Sequence, residues 1–161
     1  MSRTTSPELV ISILKVMKKR GLTLATAESI TGGALAGAIT DTAGASSVFL
    51  GSIVSYSETS KRKLLGIPQR ILTKSTAVSE VVARAMAESA RTQFGADFAV
   101  STTGVAGPGR AYGQKAGTVW IAIASKTETI SVELSLSGDR DAIRKSTIES
   151  ALATLSRILA P

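Results

Sequence analysis

The chain has 161 residues, 43% hydrophobic and 19% charged, with one Trp, two Tyr, three Phe and a formal net charge of +7. It holds neither Cys nor His, which excludes disulfides, thiolate chemistry, the usual zinc sites and every Ser-His-Asp or Cys-His arrangement. No apolar run approaches the ~20 residues of a membrane span, and "MSRTTSPELV" has no signal-peptide core, so a cytoplasmic protein of one domain, 1–161, with no membrane role is expected.

In chain order, 6–21 reads as a helix with Ser6 as N-cap, Pro7 at its first position, apolar residues at 9, 10, 13, 14 and 17, and Gly21 at its end. A short strand, 22–28, runs into a small-residue helix over 31–40. A second strand spans 47–57 with a bulge expected at Gly51, and a short helix over 57–67 stops at Gly66 ahead of Pro68. The stretch 68–78 reads as loop with one helical turn. Ser79 and Gly95 bound the next helix, and 96–104 is strand-like and enters the loop "GVAGPGRAYGQKAG". Residues 117–125 and 129–137 form an antiparallel hairpin around Lys126 and Thr127, and a last helix starts near Asp139. The alternation predicts an α/β fold, a three-layer α/β/α sandwich with a mixed sheet.

Ligands in open α/β sheets bind beyond the carboxyl ends of strands. Two polar or Gly-rich loops fall at such ends, "ESITGG" and "TTGVAGPG". In the first, a helix starting near Thr31 or Gly32 leaves backbone N–H groups suited to an anion, with Ser29 and Thr31 adding hydroxyls. The commoner alternative is that Ser29 is an N-cap and Gly32 and Gly33 permit close helix packing. In the second, Gly104, Gly107, Pro108 and Gly109 either let the backbone approach a ligand or simply turn the chain. Arg110 and Ala111 stand where a P-loop has Lys and Ser/Thr, and no helix follows, so that motif is rejected. In "YSETSK", Tyr56 can donate or orient, and Lys61 becomes a base if burial, or Arg62 and Lys63 beside it, lowers its pKa. The alternative is a packed tyrosine and solvated cations.

Together, "TLATAESITGGALAGAITDTAGASSVFLGSIVSYSETSKRKLLGI", "TGVAGPG" and "GTVWIAIA" resemble the CinA C-terminal domain family, whose stand-alone members, known as PncC, are nicotinamide mononucleotide deamidases. The resemblance runs from about Gly21 to Arg144. It implies a hydrolase of pyridine nucleotide salvage that converts nicotinamide mononucleotide to nicotinic acid mononucleotide and ammonia; no cofactor or metal is expected. It also implies a Ser–Lys pair at Ser29 and Lys61, a Tyr at Tyr56 and an Arg at Arg140. Ser29 would attack the carboxamide, or instead orient a water that Lys61 activates, with the N–H groups of Thr31, Gly32 and Gly33 on the oxyanion. The phosphate would then fall to Arg140 and the backbone of 107–109, although the two loops could exchange roles.

This chain departs from the family's pattern at Ile30, at Arg110, where another Gly is usual, and at Lys115–Ala116, where Lys-Pro-Val is usual. The net charge leaves a second class of function open, a non-catalytic nucleotide- or nucleic-acid-binding module linked to competence and DNA damage. So few aromatics disfavour nucleic acid as the partner. A homo-oligomer is expected of so small a domain.

Overall fold

The computed structural model describes residues 7–161; the cap expected at Ser6 lies outside the described residues. In chain order the elements are α1 (Pro7–Arg20), β1 (Leu24–Glu28), α2 (Ala34–Thr40), a 3₁₀ turn (Ala45–Ser47), β2 (Phe49–Val54), α3 (Glu58–Leu65), α4 (Gln69–Ser75), α5 (Glu80–Phe94), β3 (Phe98–Gly104), β4 (Thr118–Ala124), β5 (Thr129–Ser135) and α6 (Arg140–Leu159). The strands form one five-stranded sheet in the order β2-β1-β3-β4-β5. β1 is parallel to β2 and β3, whereas β4 is antiparallel to both β3 and β5. The expected mixed sheet and α/β class are therefore present.

Side-chain alternation along each strand divides the core in two. Leu24, Val100, Val119, Ile121 and Ile123 face α1, α2 and α6, where they meet Met17, Leu35, Ile143 and Leu155. On the opposite face, Ala25, Ala27 and Ala99 pack with Val82, Met86 and Ala90 of α5 and with Leu65 and Leu72 of α3 and α4. Alanines of β4, Ala122 and Ala124, meet Ala83 and Ala87 in the same way. Small residues on both surfaces let α5 lie close against the sheet, which makes three layers. No described helix is long and apolar enough to cross a membrane.

Two local expectations change. The loop over 68–78 contains a true helix, α4, with Leu72 buried beneath it against α5. Tertiary burial of one apolar side decides a seven-residue segment whose propensity is weak. α2 begins at Ala34 rather than near Thr31, because Gly32 and Gly33 take φ of 58° and 98° and hold the chain in a left-handed turn first. The bulge falls where expected: the pairing steps from Leu24–Phe49 to Ala25–Gly51, so Leu50 is the extra residue. A Cβ at Gly51 would lie 2.6 Å from the Phe94 ring, which explains the glycine.

Because β2, β1 and β3 run parallel, their carboxyl ends share one side of the sheet. That side receives the turn after β1, the segment leading to α3 and the loop after β3.

Candidate active site

Lys61 sits on the second turn of α3, four residues before Leu65, so both face inward while Arg62 and Lys63 face out. Ser57 fixes the start of the helix. Its Oγ accepts the Ser60 N–H at 3.1 Å and Ser60 Oγ accepts the Ser57 N–H at 3.0 Å. The Lys61 side chain is 1% exposed, and its Nζ donates to Ser29 Oγ and to the Ser55 carbonyl, each at 2.7 Å. Burial lowers its pKa from 10.5 to about 8, against an opposing pull from the Glu58 carboxylate. Of the causes anticipated from the sequence, burial operates. Nearby, Ser55 Oγ is buried without a hydrogen-bond partner among the described residues.

Ser29 stands at the first step beyond β1, its N–H donating to Thr102 O at 2.9 Å. The turn that follows is built around Glu28. This carboxylate is fully buried, and its Oε1 accepts from Thr31 Oγ1 (2.6 Å), Gly33 N (3.2 Å) and Leu35 N (2.9 Å). Its Oε2 accepts from Ala36 N (3.0 Å) and Ser52 Oγ (3.1 Å). The protein's own carboxylate thus occupies the amino end of α2, where sequence alone suggested a bound anion. Thr31 spends its single proton on Glu28, so Thr102 Oγ1, 2.7 Å away, must be the donor in their contact.

The N–H of Gly32 is likewise committed, to Ser29 O at 3.1 Å. Thr31, Gly32 and Gly33 therefore shape the turn, and none of them lines the cavity beside Ser29. Of the N–H groups expected on the oxyanion, those of Gly32 and Gly33 already donate within the protein, whereas that of Thr31 donates to no acceptor among the described residues. Arg144 of α6 holds the same turn from outside, donating to Ile30 O at 3.2 Å and Thr31 O at 3.0 Å.

Ser29 and Lys61 open into a cavity of about 180 Å³. Ile30, Tyr56, Ala77, Val78, the segment 103–112 and Arg140 complete its wall, and no Asp or Glu among the described residues contributes. Gly104, Gly107, Pro108 and Gly109 all lie on it, so the structure brings the glycine loop and the Ser–Lys pair together. At Gly104 a Cβ would meet Val119 at 2.7 Å and the Ile30 side chain at 3.0 Å. Arg140, at the start of α6, donates to Gly107 O at 2.6 Å and to the Tyr56 hydroxyl at 2.9 Å, joining the glycine loop to the β2–α3 segment. The N–H groups of Ile30, Gly107, Gly109 and Arg110 donate to no acceptor among the described residues. No group of three or more Asp or Glu able to hold a metal occurs among the described residues.

Sequence reasoning did not place Glu28, Thr102, Arg144 or Tyr112 in the site. A carboxylate ending a strand with no other charged residue was a signal for Glu28. Thr102 and Arg144 join the turn after β1 from positions more than 70 residues further along the chain, which no spacing reveals.

The family model of the CinA C-terminal domain matches residues 7–159. The chain is 43% identical over 149 residues to a CinA-like protein of Geobacter sulfurreducens, covering 92% of this chain and 36% of the relative. A CinA-like protein of Frankia casuarinae is 43% identical over 148 residues, covering 92% and 34%. The chain thus spans about a third of the length of the curated relatives it matches. Among solved structures, the competence/damage inducible protein of Agrobacterium tumefaciens superposes with a TM-score of 0.92 at 36% identity, covering 99% of each chain. The competence damage-inducible protein A of Klebsiella pneumoniae gives 0.93 at 33% identity, covering 96% of each chain. On this match of nearly its whole length, the chain belongs to the CinA C-terminal domain family.

Proposed function

We propose that the protein is an amidohydrolase that deamidates nicotinamide mononucleotide to nicotinic acid mononucleotide and ammonia, with Ser29 as nucleophile and Lys61 as general base. The observation that carries this reading is the buried Lys61 amine, 2.7 Å from Ser29 Oγ at the floor of a cavity without acidic side chains. With a pKa of about 8, roughly a tenth of Lys61 is neutral at pH 7, against well under about a thousandth for a lysine at 10.5. When neutral, the amine keeps one N–H on Ser55 O and turns its lone pair to the Ser29 hydroxyl.

Ser29 Oγ forms a bond to the carboxamide carbon as its proton passes to Lys61, and the carbonyl electron pair moves to oxygen. The free N–H of Ile30, immediately after the nucleophile, supplies a donor for that oxyanion. The C–N bond then breaks as the Lys61 ammonium returns its proton to the leaving nitrogen, releasing ammonia. Water attacks the acyl ester, giving a proton to Lys61. Collapse of that adduct frees the carboxylate and restores the Ser29 hydroxyl. The cavity is the size of a site for one aromatic ring. The ribose phosphate would accordingly extend toward Arg140 and the free N–H groups of Gly107, Gly109 and Arg110.

Ammonia release from nicotinamide mononucleotide by the wild type, Ser29→Ala and Lys61→Ala tests the reading. Release by the wild type alone, with all three proteins folded, is expected. Release undiminished in Ser29→Ala would remove the nucleophile assignment, and none from the wild type would remove the substrate. A nucleic-acid-binding module would instead bind DNA with steep salt dependence and ignore Ser29.

A further inference from the structure

On the far rim of the cavity the chain makes a tight hairpin. The Ala111 N–H donates to Gln114 O at 3.0 Å and the Gln114 N–H to Ala111 O at 2.9 Å, leaving Tyr112 and Gly113 as the two central residues. Their φ values, 53° and 73°, are both positive, as a type I′ turn requires. Such turns strongly favour Asn-Gly, and a bulky non-glycine residue at positive φ is strained. Tyr112 nevertheless occupies the position. It lines the cavity, is 45% exposed, and its hydroxyl has no partner among the described residues. Arg110 braces the turn by donating to Gly113 O at 2.9 Å. A strained residue that adds nothing to the core and faces a candidate active site points to a ligand contact.

We infer that Tyr112 is a specificity-determining residue whose ring face receives the cationic pyridinium of the substrate. The inference rests on the deamidase reading above. The pyridinium nitrogen of nicotinamide mononucleotide is quaternary and positive, yet the cavity carries Arg110, Arg140 and Lys61 and no carboxylate. An aromatic face is the remaining feature that favours a cation there. Of the two tyrosines on the wall, Tyr56 is tethered through its hydroxyl to Arg140, whereas Tyr112 is free to lie over a bound ring.

The test measures ammonia release and thermal unfolding for Tyr112→Asn, which suits the turn and deletes the ring, and for Tyr112→Phe, which keeps the ring. In Tyr112→Asn, KM should rise roughly three- to thirty-fold with kcat within about two-fold, and the unfolding midpoint should hold or increase. Tyr112→Phe should keep KM within about two-fold of wild type. As competing ligands, cationic 1-methylnicotinamide should outbind neutral nicotinamide in the wild type, and Tyr112→Asn should narrow that gap. An active wild type with an unchanged KM in Tyr112→Asn overturns this inference alone, as does a lowered midpoint, which would make the ring structural. A wild type inactive on nicotinamide mononucleotide overturns the deamidase reading and this inference with it.

Discussion

Lys61 Nζ and Ser29 Oγ meet at 2.7 Å although 32 residues separate them. β1 and β2 pair in parallel, which brings the residue after one strand beside the helix that follows the other. An amine in this place is costly to bury. Between pH 8 and 10.5 the folded protein binds fewer protons at Lys61 than the unfolded chain does. Stability therefore rises with pH through that window, and below pH 8 the full penalty applies, roughly 3 kcal/mol. Replacing Lys61 with Met removes the penalty and two hydrogen bonds together. Urea denaturation at pH 7 should find Lys61→Met more stable than wild type by about 1–3 kcal/mol. The advantage should shrink toward pH 10, with ammonia release abolished. An advantage independent of pH would show that the amine is not the source.

In the proposed mechanism the same lysine sets the pH dependence of catalysis. Only its neutral form accepts the Ser29 proton, so kcat/KM should climb with unit slope on a logarithmic scale and level near pH 8. Glu58, in the first turn of α3, favours the charged form. Glu58→Gln removes that pull, shifts the rising limb to lower pH and raises activity at pH 7 by up to about three-fold. An unmoved limb in that variant would assign the titration to another group.

Much of this arrangement was legible before any coordinates. Ser79, Gly95 and the apolar spacing between them define α5, and the alternation of helices and strands gives the layered class. The helix α4 was not legible, because seven residues with one buried leucine carry too little periodic signal. The placement of the site at strand ends followed from topology, whereas the pairing of Ser29 with Lys61 came through family resemblance; their contact depends on strand register rather than on spacing. Least visible was the environment of Glu28. Its partners Thr31, Leu35 and Ala36 are local, but Ser52 comes from the neighbouring strand, so the carboxylate's position at a strand end is a signal while its partners are not.

Glu28 makes a sharp prediction for that reason. Every group aimed at it is a donor, and they approach both oxygens. A glutamine of the same size must point its NH₂ at the Ala36 N–H or else at the Gly33 and Leu35 N–H groups, which cannot accept. The Thr26, Thr31 and Ser52 hydroxyls, by contrast, can turn to do so. Glu28→Gln should therefore cost about 2–4 kcal/mol in denaturant unfolding. It should also lower kcat more than it raises KM, because the disturbed turn carries Ser29 and Ile30. Equal stability of the variant would mean that the hydroxyl and N–H groups have other acceptors.

Arg140 separates charge from geometry. Its two terminal nitrogens are spread over different elements, one on Gly107 O and one on the Tyr56 hydroxyl. Lysine at this position keeps the positive charge but cannot reach both acceptors with a planar fork. If Arg140 only attracts the phosphate, Arg140→Lys should resemble wild type and Arg140→Ala should lose affinity for nicotinamide mononucleotide but not for its dephosphorylated nucleoside. If it also fixes the glycine loop, Arg140→Lys should raise KM for both substrates, roughly ten-fold. The bridge between two loops argues for the second outcome. A KM for the nucleoside unchanged in Arg140→Lys would reduce Arg140 to a phosphate contact.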